Sequence, residues 1–298
     1  MWTKENIPNL HGKEAIVTGS NTGLGYEIAL ALYQAGANVI VACRSKDNAE
    51  KAISKMMALG GEGTLIFSQL DLSSLNSIKQ FAERFIQENQ RLHLLINNAG
   101  LASPPLSKTT EGFEMQFGVN FLGHFALTGL LYPILKVAGG SRVVTVSSNG
   151  YQGATIDFNN LRSEKDYDPL REYRQSKLAN LIFAIELDRR IKNAKQQILS
   201  IAAQPGANAT ELTRHMSADE IAMGKQRLGE FMEPWQGALS ILFAATSNEA
   251  SGGNMYEPQD RGLRGYPVRA SIQDNAMNEQ VAKQLWNFAE QTTGICYP

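Results

Sequence analysis

The chain alternates short, continuously apolar runs with longer amphipathic ones. Residues 14–18, 38–43, 64–67, 92–96, 142–146 and 198–203 read as strands. They lack the in–out alternation of a half-exposed strand, so a parallel sheet buried on both faces is expected. Helical spacing fills the intervals, over about 24–34, 47–59, 74–88, 111–136 and 170–191. The third of these puts Ile78, Phe81, Ala82, Phe85 and Ile86 on one face. The pattern is less regular after residue 203: an unassigned stretch over 210–231, a helix over 235–246, a strand near 254–256 and a last helix over 275–291. Regular exchange of strand and helix makes right-handed βαβ crossovers the economical topology. The expected fold class is therefore α/β, a doubly wound parallel sheet with helices on both faces. No linker, repeat or low-complexity tract divides the chain, so residues 1–298 are taken as a single domain.

Composition narrows the function classes. Hydrophobic residues make up 43% and charged residues 19%, with a formal net charge of -1, which suits a large buried core. No basic surplus exists to neutralise phosphates, so no nucleic-acid partner is expected. Two distant cysteines, Cys43 and Cys296, and four scattered histidines give neither a disulfide scaffold nor a metal site. The first eight residues lack the apolar stretch of a signal peptide. The apolar stretch 117–135 carries Asn120, His124 and Pro133 and ends at Lys136, so it reads as a core helix and not a membrane span. A cytoplasmic protein is the expectation.

The first candidate chemistry lies between the first strand and helix: Thr18-Gly19-Ser20-Asn21-Thr22-Gly23-Leu24-Gly25. A helix N-terminus offers unpaired N–H groups and partial positive charge, and glycines let the backbone approach a pyrophosphate. That placement points to a Rossmann-type dinucleotide site, with spacing GxxxGxG and no P-loop GK[ST]. An acid at the end of the second strand would bind the ribose of NAD. Here the stretch reads Val41-Ala42-Cys43-Arg44-Ser45, with no acid until Asp47. Arg44 can pair with a 2′-phosphate, so NADP(H) is the expected cofactor.

Further motifs follow in order: Asn97-Asn98-Ala99-Gly100, Ser147-Ser148, Tyr173-Arg174-Gln175-Ser176-Lys177 and Pro205-Gly206. Together with the glycine loop they make the chain, from about residue 13 to 256, resemble the short-chain dehydrogenase/reductase superfamily. The wording YRQSKLAN at 173–180 is similar to its retinol-dehydrogenase-like branch, which includes protochlorophyllide-reductase-like proteins. The 25 residues from Ser148 to Tyr173 are a long interval for that family. The resemblance implies catalytic roles for Asn120, Ser148, Tyr173 and Lys177, with Asn120 holding a water linked to Lys177. It implies that Asp71 and Leu72 cup the adenine and that Asn98, Ala99 and Gly100 line the adenosine ribose. It implies that Pro205 and Gly206 contact the cofactor and that Thr210 meets the nicotinamide carboxamide. It also implies a homo-oligomer, a dimer through the helices at 111–136 and 170–191.

The chemistry stands on spacing as well. Tyr173 and Lys177, four apart, share a helix face, and a cationic Lys beside a phenol lowers its pKa. Tyr173 can then give a proton to a carbonyl oxygen or take it back, with the Ser148 hydroxyl on the same oxygen. Tyr132 and Lys136 also fit YxxxK, but they fall at the end of a helix just before a strand and read as structural. A hydrolase elbow is excluded because Val146 stands two before Ser148. A photoreductase is disfavoured, since no cysteine lies between Cys43 and Cys296. The expected function is NADP(H)-dependent interconversion of a carbonyl and an alcohol on an apolar or aromatic small molecule. The region after Thr210, with Leu212, His215 and Met216, would wall the pocket, and Tyr151 and Phe158 are further aromatic wall candidates. The alternative is a non-catalytic NADP(H)-binding sensor or scaffold of the same fold.

Overall fold

The computed structural model describes residues 1–208 and 231–298. Seven strands run parallel: β1 (Glu14–Thr18), β2 (Asn38–Cys43), β3 (Thr64–Gln69), β4 (Leu94–Asn97), β5 (Ser141–Val146), β6 (Ile198–Ala203) and β7 (Met255–Asp260). The eighth, β8 (Arg264–Arg269), pairs antiparallel with β7. The order across the sheet is β3-β2-β1-β4-β5-β6-β7-β8. Central strands are buried along nearly their whole length, as their apolar runs require. β3 departs from that expectation. It is an edge strand, and Ile66 is exposed.

Alternate residues of each strand feed two cores. Ala15 and Val17 of β1 pack under α1 (Gly23–Gln34), α2 (Lys46–Ala58) and α6 (Pro234–Thr246). Ile16 faces the other side, under α3 (Leu75–Glu88), α4 (Gly123–Ala138) and α5 (Pro169–Asn193). The helix expected from residue 111 starts later, because Lys108 and Glu114 form a β-bridge instead. It opens with a π-helical turn, Phe117–Leu122, that runs into α4. Residues 117–138 are long and apolar enough to cross a membrane, but 72% of the most apolar window is buried inside this fold.

A last helix, α7 (Glu279–Thr293), lies over α4 and α5. Its Trp286 meets Phe125 at 5.0 Å and Phe183 at 5.9 Å, and the Arg190 guanidinium sits 4.2 Å from its ring centre. Behind it, the Tyr297 hydroxyl donates to the Phe125 carbonyl at 2.8 Å. The Tyr297 ring occupies the space a Cβ on Gly129 would take. The faces of α4 and α5 expected to join two subunits are thus covered by the chain's own C-terminal segment. A dimer on those helices would have to displace it.

Candidate active site

The strand order reverses between β1 and β4, and open α/β sheets bind ligands at the carboxyl ends of strands at such a point. A cleft of about 360 Å3 lies there, running from the loop before α1 to the ends of β5 and β6. Gly19, Asn21, Thr22, Gly23, Leu24 and Gly25 line one end. Gly25 has no room for a side chain, since a Cβ would stand 2.4 Å from the Gly19 carbonyl oxygen. Ser20 is the exception in this loop. It is fully buried, outside the cleft lining, and its hydroxyl donates to the Val17 carbonyl at 2.7 Å.

Helix α1 begins without a cap. Thr22 makes no side-chain capping bond and the first turn carries no acid. By contrast α2, α3, α5 and α7 are capped by Ser45, Ser74, Asp168 and Asn278. The free N–H groups of α1 and its dipole fit a pyrophosphate. Arg44 lines the same end beside Cys43, Ser45 and Asn48, is exposed, and makes no ion pair among the described residues. Asp71 and Leu72 line the cleft further on. The Asp71 carboxylate accepts from the Ser73 N–H at 2.9 Å and hydroxyl at 2.7 Å.

Asn98, Ala99 and Gly100 both line the cleft and bolt the sheet. The Thr18 hydroxyl accepts from the Asn98 and Ala99 N–H groups, each at 2.9 Å. The Asn98 side chain donates back to the Thr18 carbonyl at 2.8 Å. At the far end are Pro205, Gly206 and Asn208. The β7–β8 hairpin, half of which sequence reading misses, holds this end together. The Gly262 carbonyl accepts from Gln204 Nε2 at 2.7 Å and Asn149 Nδ2 at 2.9 Å. The Ala207 N–H donates to the Leu263 carbonyl at 3.0 Å. Thr210, Leu212, His215 and Met216 lie outside the described residues.

Ser148, Tyr173 and Lys177 converge on the cleft between these ends. Ser148 follows β5, and its hydroxyl oxygen accepts from the Gly150 N–H at 3.1 Å. Arg174, not singled out in the sequence, secures this loop through the Gly150 and Gln152 carbonyls at 3.1 and 2.6 Å. Lys177 Nζ donates to the Val146 carbonyl at 3.2 Å and lies 5.8 Å from the Tyr173 ring centre. The Ser147 hydroxyl donates to the Lys177 carbonyl at 2.8 Å, which fixes the helix against the strand end.

Burial lowers the Lys177 pKa to about 8. Burial also raises the Tyr173 phenol above its ordinary value, against a hydrogen bond from Ser148 that pulls it down. The phenolate expected from the Lys–Tyr spacing is therefore not favoured in the protein alone, because both groups are desolvated together.

Asn120 stands beside the cleft and not in its lining. Its Oδ1 accepts from the Leu101 N–H at 2.8 Å, and its Nδ2 donates to the Leu101 carbonyl at 3.0 Å and to Ser176 Oγ at 2.9 Å. Both amide hydrogens are used, so the side chain clamps the strand end to α5. Sequence reading also misses Leu101, Ala102 and Val119, which line the cleft. Only proximity to NNAG and Asn120 could have flagged them. Tyr151 is fully buried, its hydroxyl accepting from the Gln273 N–H at 3.3 Å, and Phe158 packs on the core, and neither is among the described residues that line the cleft. Tyr132 is buried 5.7 Å from the Tyr297 ring and Lys136 is exposed, and neither lines the cleft.

A family model described as short chain dehydrogenase matches residues 13–221. The chain is 38% identical to retinol dehydrogenase 14 of Mus musculus over 301 residues, covering 96% of this chain and 87% of that protein. It is 39% identical to retinol dehydrogenase 11 of Homo sapiens over 293 residues, covering 96% and 87%. An uncharacterised protein from Mycobacterium paratuberculosis superposes with a TM-score of 0.83 at 34% identity, covering 100% of this chain and 99% of that one. The Pseudomonas aeruginosa RhlG/NADP active-site complex shares the fold, with a TM-score of 0.67 at 24% identity, covering 83% and 94%.

Proposed function

This chain belongs to the short-chain dehydrogenase family, a family of nicotinamide-dependent oxidoreductases, and from that premise we propose that it is an NADP(H)-dependent enzyme interconverting a carbonyl and an alcohol. One observation carries the reading: Ser148, Tyr173 and Lys177 meet in a cleft one end of which holds an uncapped helix and an Arg44 with no ion pair among the described residues. The residues fit a nicotinamide dinucleotide along its length. When bound, that cofactor supplies or accepts the hydride. Tyr173 donates the proton to the carbonyl oxygen, or removes it in the reverse direction. Ser148 orients the same oxygen. Lys177, held by the Val146 carbonyl, stabilises the phenolate that proton transfer leaves.

NADP(H) selectivity is supported by Arg44 at the end of β2, where the described lining residues Cys43, Arg44, Ser45 and Asn48 include no carboxylate. An apolar or aromatic substrate is supported by the apolar side chains Leu101, Ala102 and Val119 in the cleft lining. Many relatives are named retinol dehydrogenases, so retinaldehyde belongs in a panel with aryl ketones and aldehydes. The test follows the absorbance of the reduced nicotinamide with NADPH and NADH in parallel. Turnover that prefers NADPH supports the proposal. Tight NADPH binding with no turnover across the panel favours the cofactor-sensing alternative, and no binding of either cofactor overturns both.

A further inference from the structure

His124 is fully buried behind the cleft and takes no part in the reaction described above. Its ring Nδ1 lies 2.9 Å from the main-chain carbonyl of Asn120, and its Nε2 lies 2.9 Å from Thr18 Oγ1. A carbonyl can only accept, so Nδ1 carries the hydrogen and a neutral ring has Nε2 as acceptor. Thr18 Oγ1 already accepts two N–H groups, and its one hydrogen is shared between Nε2 at 2.9 Å and the Ile96 carbonyl at 3.3 Å, the shorter contact going to the ring. Every partner is satisfied by one tautomer of an uncharged imidazole.

The reach from His124 back to Asn120 depends on the backbone. Helical side chains lean toward the preceding turn, which brings residue 124 over residue 120. In a regular α-helix the carbonyl four residues back is spent on the main chain. Here the Gly123 N–H bonds the Gly118 carbonyl, five residues back, so the turn is π-helical and its bonding is shifted. Asn120, at the middle of that turn, clamps Leu101 to Ser176, the residue before Lys177.

We propose that His124 is a positioning residue for the reaction centre: it fixes the π-turn carbonyl of Asn120, and through the Asn120 amide sets Ser176 and Lys177 against the end of β4. The other end of the ring ties the same turn to Thr18, which holds the Asn98–Ala99 lining. Lys177 is close enough for its charge to act on the imidazole, so the two groups share one electrostatic environment. The inference rests on the reading of Tyr173 and Lys177 as the proton-transfer pair.

The test separates the two ring nitrogens. His124→Asn keeps a donor where Nδ1 stands, and His124→Gln places an amide where Nε2 stands. His124→Leu removes both. The Leu variant is expected to lose about tenfold in kcat, since a buried hydrogen bond contributes on the order of one factor of ten. Its NADPH Kd should change by less than about threefold, because Thr18 keeps its two accepted N–H bonds. The Asn variant should recover most of the lost turnover and the Gln variant should not. Exchange of the Leu101 amide hydrogen, which donates to Asn120, should quicken in the Leu and Gln variants and return toward wild type in the Asn variant.

Equal turnover and equal Leu101 exchange in the Asn and Gln variants would overturn the proposal. So would a Leu variant matching wild type in both. Should the Leu variant not fold, the Asn–Gln comparison decides alone. Should wild type show no turnover, the enzymatic reading fails, and Leu101 exchange still decides the role of His124.

Discussion

Replacing Arg44 with Ala removes the one cation, among the described residues, at the edge of the cleft where a 2′-phosphate would lie. Arg44 is exposed and makes no ion pair among the described residues, so the substitution breaks no ion pair described within the protein. A hydrogen bond to a charged group contributes roughly 1.5–3 kcal/mol. Solvent at this exposed site screens the pair, so the lower end of that range applies. About 1.5–2 kcal/mol corresponds to a 10- to 30-fold rise in the NADPH Kd. The NADH Kd should move by less than about twofold, since NADH lacks the phosphate that Arg44 is proposed to meet. The kcat at saturating cofactor should stay near wild type, because Tyr173 and Lys177 lie further along the cleft, on α5. Arg44→Lys keeps the charge and loses the planar fork, so it should fall between the two. Fluorescence titration of both cofactors at two ionic strengths measures all of this, and the NADPH effect should shrink as salt rises. Equal losses for NADPH and NADH would refute the specificity argument and assign Arg44 a part in loop stability.

Tyr173→Phe should cut kcat by about 10²–10⁴ while leaving the NADPH Kd within about twofold, and near-normal turnover would show that another group supplies the proton. Trp286→Ala should cost about 3–5 kcal/mol in urea unfolding, because the ring is buried between α4 and α5. Light scattering of that variant should show association through the uncovered helix faces, and an unchanged midpoint would mean α7 does not seal them. Acid should destabilise the fold through His124, whose pKa burial lowers to about 4. Above pH 6.5 both native and unfolded states hold it neutral, and as pH falls from 6.5 to 4 only the unfolded state takes the proton. Stability from this group then drops by about 1.4 kcal/mol per pH unit. Urea midpoints across that window should fall less steeply in His124→Asn, and identical slopes would show that the imidazole titrates normally.

Most of the sheet was readable because burial on two faces leaves a plain mark: a run such as Ala15-Ile16-Val17 has no polar alternation. β8 left no such mark. Its sequence, Arg264-Gly265-Tyr266-Pro267-Val268-Arg269, carries residues that weaken a strand. It survives because an edge strand tolerates proline, and its value is to present the Gly262 carbonyl to Gln204 and Asn149. The π-turn was also invisible. One extra residue per turn leaves the apolar pattern of residues 117–138 intact while it changes what Asn120 and His124 can reach. Ser20 shows the opposite failure: a motif position that looks like ligand contact is spent on the Val17 carbonyl.

The two YxxxK pairs show why placement carries more than pattern. Both lie on helices of the same layer, Tyr132 and Lys136 on α4 and Tyr173 and Lys177 on α5. In a βαβ unit the helix runs back against the strands, so its first turns lie at the carboxyl end of the sheet and its last turns at the amino end. Tyr173 is the fifth residue of α5, which sets it beside Ser148 and the mouth of the cleft. Lys136 is in the last turn of α4, so its pair lies at the opposite end, where Tyr132 packs against Tyr297. Spacing gives two side chains a common face, and the direction of the helix then decides whether that face meets a ligand or the core.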